Sequence, residues 1–130
     1  MQAELPIASA ARILVIEDHE EVRRSLVLVL RSSGFAVDAY ASGIELLSSR
    51  ALPSADCLVI DYKLPSVDGF ELLARIRAKG LNCPALMITG FASTTLKARA
   101  LAAGYAGVLL KPLVAGELIS QISEQIQPSH

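Results

Sequence analysis

Short apolar runs alternate with amphipathic stretches along this chain, and each pair closes on a glycine or a proline. Ile13, Leu14, Val15 and Ile16 form an unbroken apolar run. Val22, Leu26, Val29 and Leu30 then fall at helical spacing, and Gly34 follows. The first pattern predicts a strand buried on both faces, β1 over 12–17. The second predicts an amphipathic helix, α1 over 20–33, with Gly34 as its C-cap. The alternation at 36–40 predicts β2. Ser42 is placed to cap α2, which carries Ile44, Leu46 and Leu47 and is stopped by Pro53.

The run 57–61 predicts β3, followed by a loop containing Pro65. Asp68 caps α3, whose apolar face is Phe70, Leu72, Leu73 and Ile76 and whose end is near Gly80. Pro84 introduces β4 at 85–89. Ser93 or Thr94 caps α4, which runs to Ala103 and closes at Gly104. The run 107–110 predicts β5. Pro112 breaks the chain before α5, which carries Leu118, Ile119, Ile122 and Ile126. Five strands alternating with five helices imply a parallel sheet covered on both faces, and right-handed crossovers leave few topologies. The expected fold is α/β: a flavodoxin-like, doubly wound, five-stranded parallel sheet in strand order 2-1-3-4-5.

At 130 residues the chain suits one domain with a full core. The expected division is a flexible lead-in over 1–11, the domain over 12–127 and a tail over 128–130. An apolar fraction of 52% excludes a disordered chain. The mean hydropathy of +0.46 raises the question of a membrane. No apolar run approaches the roughly 20 residues that span one, and 1–11 lacks the plan of a signal peptide. A net charge of −1 gives nucleic acid or an anionic surface nothing to hold, so neither is expected as a direct partner. Cys57 and Cys83 have no metal-ligand spacing and begin apolar runs, so both are read as core thiols in a reducing, cytoplasmic compartment.

In such folds ligands bind beyond the carboxyl ends of the strands. There the chain turns polar: Glu17 and Asp18 after β1, Asp61 ending β3, Thr89 and Gly90 at β4, and Lys111 and Pro112 after β5. Wet loops explain any one of these; they do not explain acids, a hydroxyl and an ammonium converging on one edge. Three crowded carboxylates repel one another, and a hard divalent cation such as Mg²⁺ relieves them. Lys111 adds a charge able to pair with Asp61 or a phosphoryl oxygen, Thr89 a donor, and Gly90 close backbone approach. The set reads as a phosphoryl-transfer site with a carboxylate nucleophile.

The segments ILVIEDHE (13–20), CLVIDYKLPSVDGFELL (57–73), ALMITGFA (85–92) and AGYAGVLLKPL (103–113) resemble the receiver domains of bacterial two-component response regulators. That resemblance implies Asp61 as phosphoacceptor, and Mg²⁺ held by Glu17, Asp18, Asp61 and the main-chain carbonyl of Lys63. It implies Thr89 as the switch hydroxyl, Lys111 as the phosphate-contacting lysine, and a cis bond before Pro112. The implied donor is a histidine kinase or histidine phosphotransfer protein. The implied output is a changed α4-β5-α5 surface that binds an output domain, a downstream protein or a second copy as a homodimer. Such a protein catalyses only its own phosphorylation and dephosphorylation. An aspartate-nucleophile phosphatase is disfavoured, because that class wants a second Asp where Lys63 stands. The chain reads either as a single-domain regulator or as the receiver part of a longer protein.

One position departs from the family pattern. Val108 stands three residues before Lys111, where receivers usually carry the switch aromatic. A receiver-like interaction module with weakened or absent phospho-switching is therefore the alternative. Tyr105 is expected at the surface or an interface, with replacement of the missing aromatic as the other option. Around the loop edges, Phe91 is assigned to shielding an acyl phosphate or to plain loop packing, and Lys63 to solvent. His19 is an exposed loop residue or tunes charge at the metal site. Lys97 and Arg99 belong to a partner face on α4, or simply to a half-buried helix. Pro65 stiffens its loop, Asp68 caps α3 and Gly69 permits the turn.

Overall fold

The computed structural model describes residues 10–50, 52–91 and 93–126. The tail at 128–130, and all but two residues of the expected lead-in, lie outside the described residues. Ten elements follow one another as β1 (Arg12–Ile16), α1 (Glu20–Ser32), β2 (Ala36–Tyr40), α2 (Gly43–Leu47), β3 (Cys57–Asp61), α3 (Gly69–Ala78), β4 (Ala85–Thr89), α4 (Thr94–Ala102), β5 (Gly107–Leu110) and α5 (Ala115–Ile126). The strands form one parallel sheet in the order β2-β1-β3-β4-β5, the order expected from the pattern.

Successive strand residues point to opposite faces, and both faces are buried. Leu14, Ile16, Leu58, Ile60 and Met87 meet Leu46 of α2, Leu72, Leu73 and Ile76 of α3, and Leu96 and Ala100 of α4. Ile13, Val15, Val59, Leu86 and Ile88 meet Leu26 and Leu30 of α1 and Leu118 and Ile122 of α5. Continuous apolar runs in the sequence are thus the two linings of one sheet. Among the described residues, no helix is long and apolar enough to cross a membrane.

The predicted caps form. Ser42 accepts from the Glu45 amide at 3.1 Å, Ser93 from Leu96 at 3.0 Å, and Asp68 from both Phe70 and Glu71 at 2.9 Å. Helix α2 is shorter than expected: it ends at Leu47, well before Pro53, where Ser48 turns its hydroxyl onto the Ile44 carbonyl at 2.7 Å. Gly69 also acts differently from expectation. The left-handed residue of its loop is Ser66, at φ 68°. A Cβ on Gly69 would lie 3.1 Å from the Asp61 carbonyl oxygen and 3.2 Å from Tyr62 Cα, so this glycine serves close packing of α3 against the end of β3.

Cys57 is fully buried and Cys83 half-buried, both as free thiols, and burial pushes the Cys57 thiol up to about 12. The surface placement of Tyr105 is overturned. Its ring is 97% buried against α3, because the hydroxyl reaches the Gly69 carbonyl at 2.6 Å and has no need of water. Phe70 packs edge-on against both Tyr62 and Tyr105, and the Arg99 guanidinium lies 4.6 Å over the Phe70 ring.

Candidate functional site

The strands end at one edge of the sheet, and β1 and β3 lie side by side there at the point where the strand order reverses. Glu17 follows β1 and is held in line by its amide bond to the Tyr40 carbonyl at 3.0 Å. Asp61 ends β3, and the next amide, Tyr62, bonds to Ile88 of β4 at 2.9 Å. Thr89 ends β4, and its carbonyl accepts from the Lys111 amide at 2.7 Å. Backbone pairing alone therefore carries four polar residues to one place.

Lys111 Nζ lies 2.7 Å from Glu17 Oε1 and 3.3 Å from Asp61 Oδ2. The contact with Glu17 is one of charge without hydrogen-bond direction, and Glu17 Oε1 is left buried with no hydrogen bond. Glu17 Oε2 accepts from the His19 amide at 3.0 Å. Burial pushes the Glu17 carboxyl up, but Lys111 and the His19 amide outweigh it and hold it below its ordinary value. Asp61 goes the other way. Burial and then the neighbouring Glu17 charge raise it to about 6, against the opposing pull of Lys111. Burial opposes the charge on Lys111, yet its two carboxylate partners leave it raised.

Asp18 is exposed beside this pair. One carboxylate oxygen from each of Glu17, Asp18 and Asp61 and one His19 ring nitrogen lie within 4.8 Å of one another. A buried carboxylate oxygen whose one partner is the charge of Lys111, a raised acid and an adjacent open carboxylate suit a hard divalent cation, which the donor set fits. Lys63 lines the same cleft with Asp61, Tyr62, Thr89, Gly90, Phe91, Lys111 and His19. The Thr89 hydroxyl donates to the Phe91 carbonyl and accepts from the Phe91 amide, both at 3.1 Å. The Lys111–Pro112 bond is cis.

Three smaller readings sharpen. Phe91 is 73% exposed at the cleft, so loop packing does not account for it. A Cβ on Gly90 would meet no protein atom within 4 Å, so the close approach read for this glycine would be to a ligand and not within the chain. Lys97 and Arg99 are exposed while Leu96 and Ala100 of the same helix are buried, which is the half-buried pattern. One contributor went unseen in the sequence. Arg23 of α1 donates to the carbonyls of Glu17 at 2.9 Å and Asp18 at 3.4 Å and so clamps the acidic loop. Its only sequence signal was a basic residue on the first turn of the helix that follows the acids.

Residues 13–123 match the family model described as the response regulator receiver domain. The chain belongs to that family. It is 34% identical over 113 residues to the response regulator MprA of Mycobacterium tuberculosis, covering 87% of this chain and 49% of that protein. It is 32% identical over 108 residues to the transcriptional regulatory protein FixJ of Azorhizobium caulinodans, covering 83% and 51% respectively. The receiver thus spans about half the length of the curated relatives it matches. Among solved structures it resembles a CheY-like receiver domain protein from Methanospirillum hungatei, at 28% identity and TM-score 0.83, covering 91% of this chain and 94% of that one. It also resembles the receiver domain of a sensor histidine kinase from Pseudomonas aeruginosa, solved with a magnesium ion coordinated in its active-site cleft. That match has 28% identity and TM-score 0.82, over 92% of this chain and 99% of the other. Receivers are phospho-accepting signalling modules of two-component systems rather than enzymes of the ordinary kind.

Proposed function

We propose that this receiver accepts a phosphoryl group on Asp61 from the phosphohistidine of a histidine kinase or histidine phosphotransfer protein, with the receiver unit spanning 12–127. The observation that carries the reading is the meeting of Glu17, Asp61 and Lys111 in one cluster, with Thr89 on the same cleft. An Asp61 carboxylate oxygen attacks phosphorus, and the phosphorus–nitrogen bond breaks. Its electron pair stays on the imidazole of the donor, and an acyl phosphate forms on Asp61. Lys111, already within 3.3 Å of that carboxylate, pairs with a phosphoryl oxygen. The Thr89 hydroxyl leaves the Phe91 backbone to donate to another, which loosens the β4–α4 turn.

Glu17, Asp18, Asp61 and the main-chain carbonyl of Lys63 are the residues to hold Mg²⁺, which supplies positive charge against the phosphoryl oxygens. The receiver acts on itself alone, in the cytoplasm. The loosened turn then changes the α4-β5-α5 surface and with it the hold on an output domain, a downstream protein or a second copy. Incubation with acetyl phosphate and Mg²⁺, read by intact mass, is the test. Labelling of the wild type that disappears in Asp61→Asn supports the assignment; labelling that survives overturns it.

Val108 favours a second reading. It is a half-buried β5 residue paired with Met87, and a valine has no ring to swing inward when Thr89 moves. On that reading the fold is an interaction module whose partner affinity ignores phosphorylation. Amide chemical shifts with and without beryllofluoride separate the two. Shifts spreading to α4 and α5 support switching, and shifts confined to the cleft support the module.

A further inference from the structure

We infer that His19 is a metal ligand of this cleft and biases it away from Mg²⁺ toward first-row transition dications such as Mn²⁺ and Co²⁺. The inference rests on the reading of the acidic cleft as a cation site and adds an imidazole to its oxygen donors. His19 Nδ1 stands 3.3 Å from Glu17 Oε2 and 3.5 Å from Asp18 Oδ1. Neighbouring ligand atoms around one ion at about 2.1 Å are separated by about 3.0 Å in octahedral and about 3.4 Å in tetrahedral geometry. In the metal-free chain the contact with Glu17 is a hydrogen bond, and the same spacing suits an imidazole and two carboxylates around one ion. The 4.8 Å spread of the four donor atoms is close to the roughly 4.2 Å across an octahedral ion, so small adjustments bring all of them onto it.

Local structure explains why the ring faces the acids. His19 is the N-cap of α1, at φ −77° and ψ 118°, yet its side chain makes no capping bond. Ser, Thr, Asn and Asp are the usual residues there because they cap; a histidine that does not cap leaves its ring to other partners. Arg23 holds the carbonyls of Glu17 and Asp18, which fixes the acidic loop beside the His19 ring. The His19 side chain is 71% exposed, so its other ring nitrogen needs no buried partner and water can complete the coordination. Mg²⁺ prefers oxygen donors and gains little from an imidazole, whereas the transition dications accept nitrogen readily.

The test is calorimetric titration of the full chain with magnesium, manganese and cobalt chlorides, for wild type, His19→Ala and Asp18→Asn. Nitrogen modulation in the electron spin echo of bound Mn²⁺ is read in parallel. His19→Ala is expected to weaken Co²⁺ at least about tenfold, to leave Mg²⁺ within about twofold, and to abolish the nitrogen modulation. Equal weakening of Mg²⁺ and Co²⁺, unchanged Co²⁺ affinity, or wild-type Mn²⁺ without nitrogen modulation would overturn the ligand assignment. Asp18→Asn separates the two levels. If it weakens Mg²⁺ while His19→Ala changes nothing, the cation site stands and only the histidine assignment falls. If it leaves every ion unaffected, both fall.

Discussion

Replacing Asp61 by Asn removes a charge that the fold holds against its surroundings, and the metal-free protein is expected to become more stable. The Asp61 carboxyl is 4% exposed and shares Lys111 with Glu17, so two carboxylates compete for one ammonium. Burial, then the charge of Glu17, lifts its midpoint from 3.8 to about 6. Each tenfold change in proton affinity is about 1.4 kcal/mol, so this displacement corresponds to about 3 kcal/mol as an upper figure. The unfolded chain releases the Asp61 proton near pH 4 and the folded chain near pH 6. Between those values the folded state binds more protons, so this carboxyl's contribution to stability falls as pH rises and the loss is complete above about pH 6. Asparagine cannot ionise and escapes that loss, while Glu17 keeps Lys111. In chelator at pH 7.5, Asp61→Asn should therefore gain on the order of 1–3 kcal/mol in urea unfolding, a rise of several degrees in Tm. The gain should shrink to well under 1 kcal/mol near pH 4 and vanish below about pH 3, where the wild-type carboxyl is protonated in both states. Mg²⁺ should raise the wild-type midpoint and leave Asp61→Asn almost unmoved. A variant less stable than wild type at pH 7.5, or a gain that persists undiminished at pH 4, would refute the reasoning.

Other expectations follow from the packing. Tyr105→Phe deletes the hydroxyl that bonds to the Gly69 carbonyl at 2.6 Å and should cost about 1 kcal/mol in urea unfolding; a change below a few tenths would deny that bond a role. Leu72→Ala, on the buried face of α3 and against Gly43 of α2, empties a fully buried site and should cost about 2–5 kcal/mol by the same measurement. With a thiol reagent under native conditions, half-buried Cys83 should react well before Cys57, whose thiol is fully buried and raised to about 12; equal rates would contradict the burial.

Much of the fold was legible because both faces of its sheet are covered. A strand lined by helices on both sides needs continuous apolar runs, and Ile13–Ile16 and Cys57–Ile60 have no other reading in a chain with helical spacing between them. The candidate site was legible for a related reason. Polar residues that cut off buried strands stand out, and Glu17, Asp61, Thr89 and Lys111 do so at the same end of their strands. Errors came where partners distant in sequence decide the outcome. Tyr105 looked like a surface residue because its acceptor is the backbone of Gly69, 36 residues earlier. Gly69 looked like a turn residue because its crowding comes from β3. Arg23 signalled no more than a basic residue on the first turn of α1, since its acceptors are carbonyls and carbonyls leave no trace in residue identity.

By itself, the sequence determined the alternation of elements, the strand-end location of the acids, the lysine and the threonine, and the valine three residues before that lysine. Periodicity and residue type are local properties, and these conclusions need nothing more. Only the tertiary structure decided how the charges divide. Lys111 sits 2.7 Å from Glu17 and 3.3 Å from Asp61, so one acid is held low and the other is pushed up. It alone turned the His19 ring toward two carboxylates instead of toward its helix. Electrostatic energies vary with distance and burial, and both are set by side chains brought together across the sheet rather than along the chain.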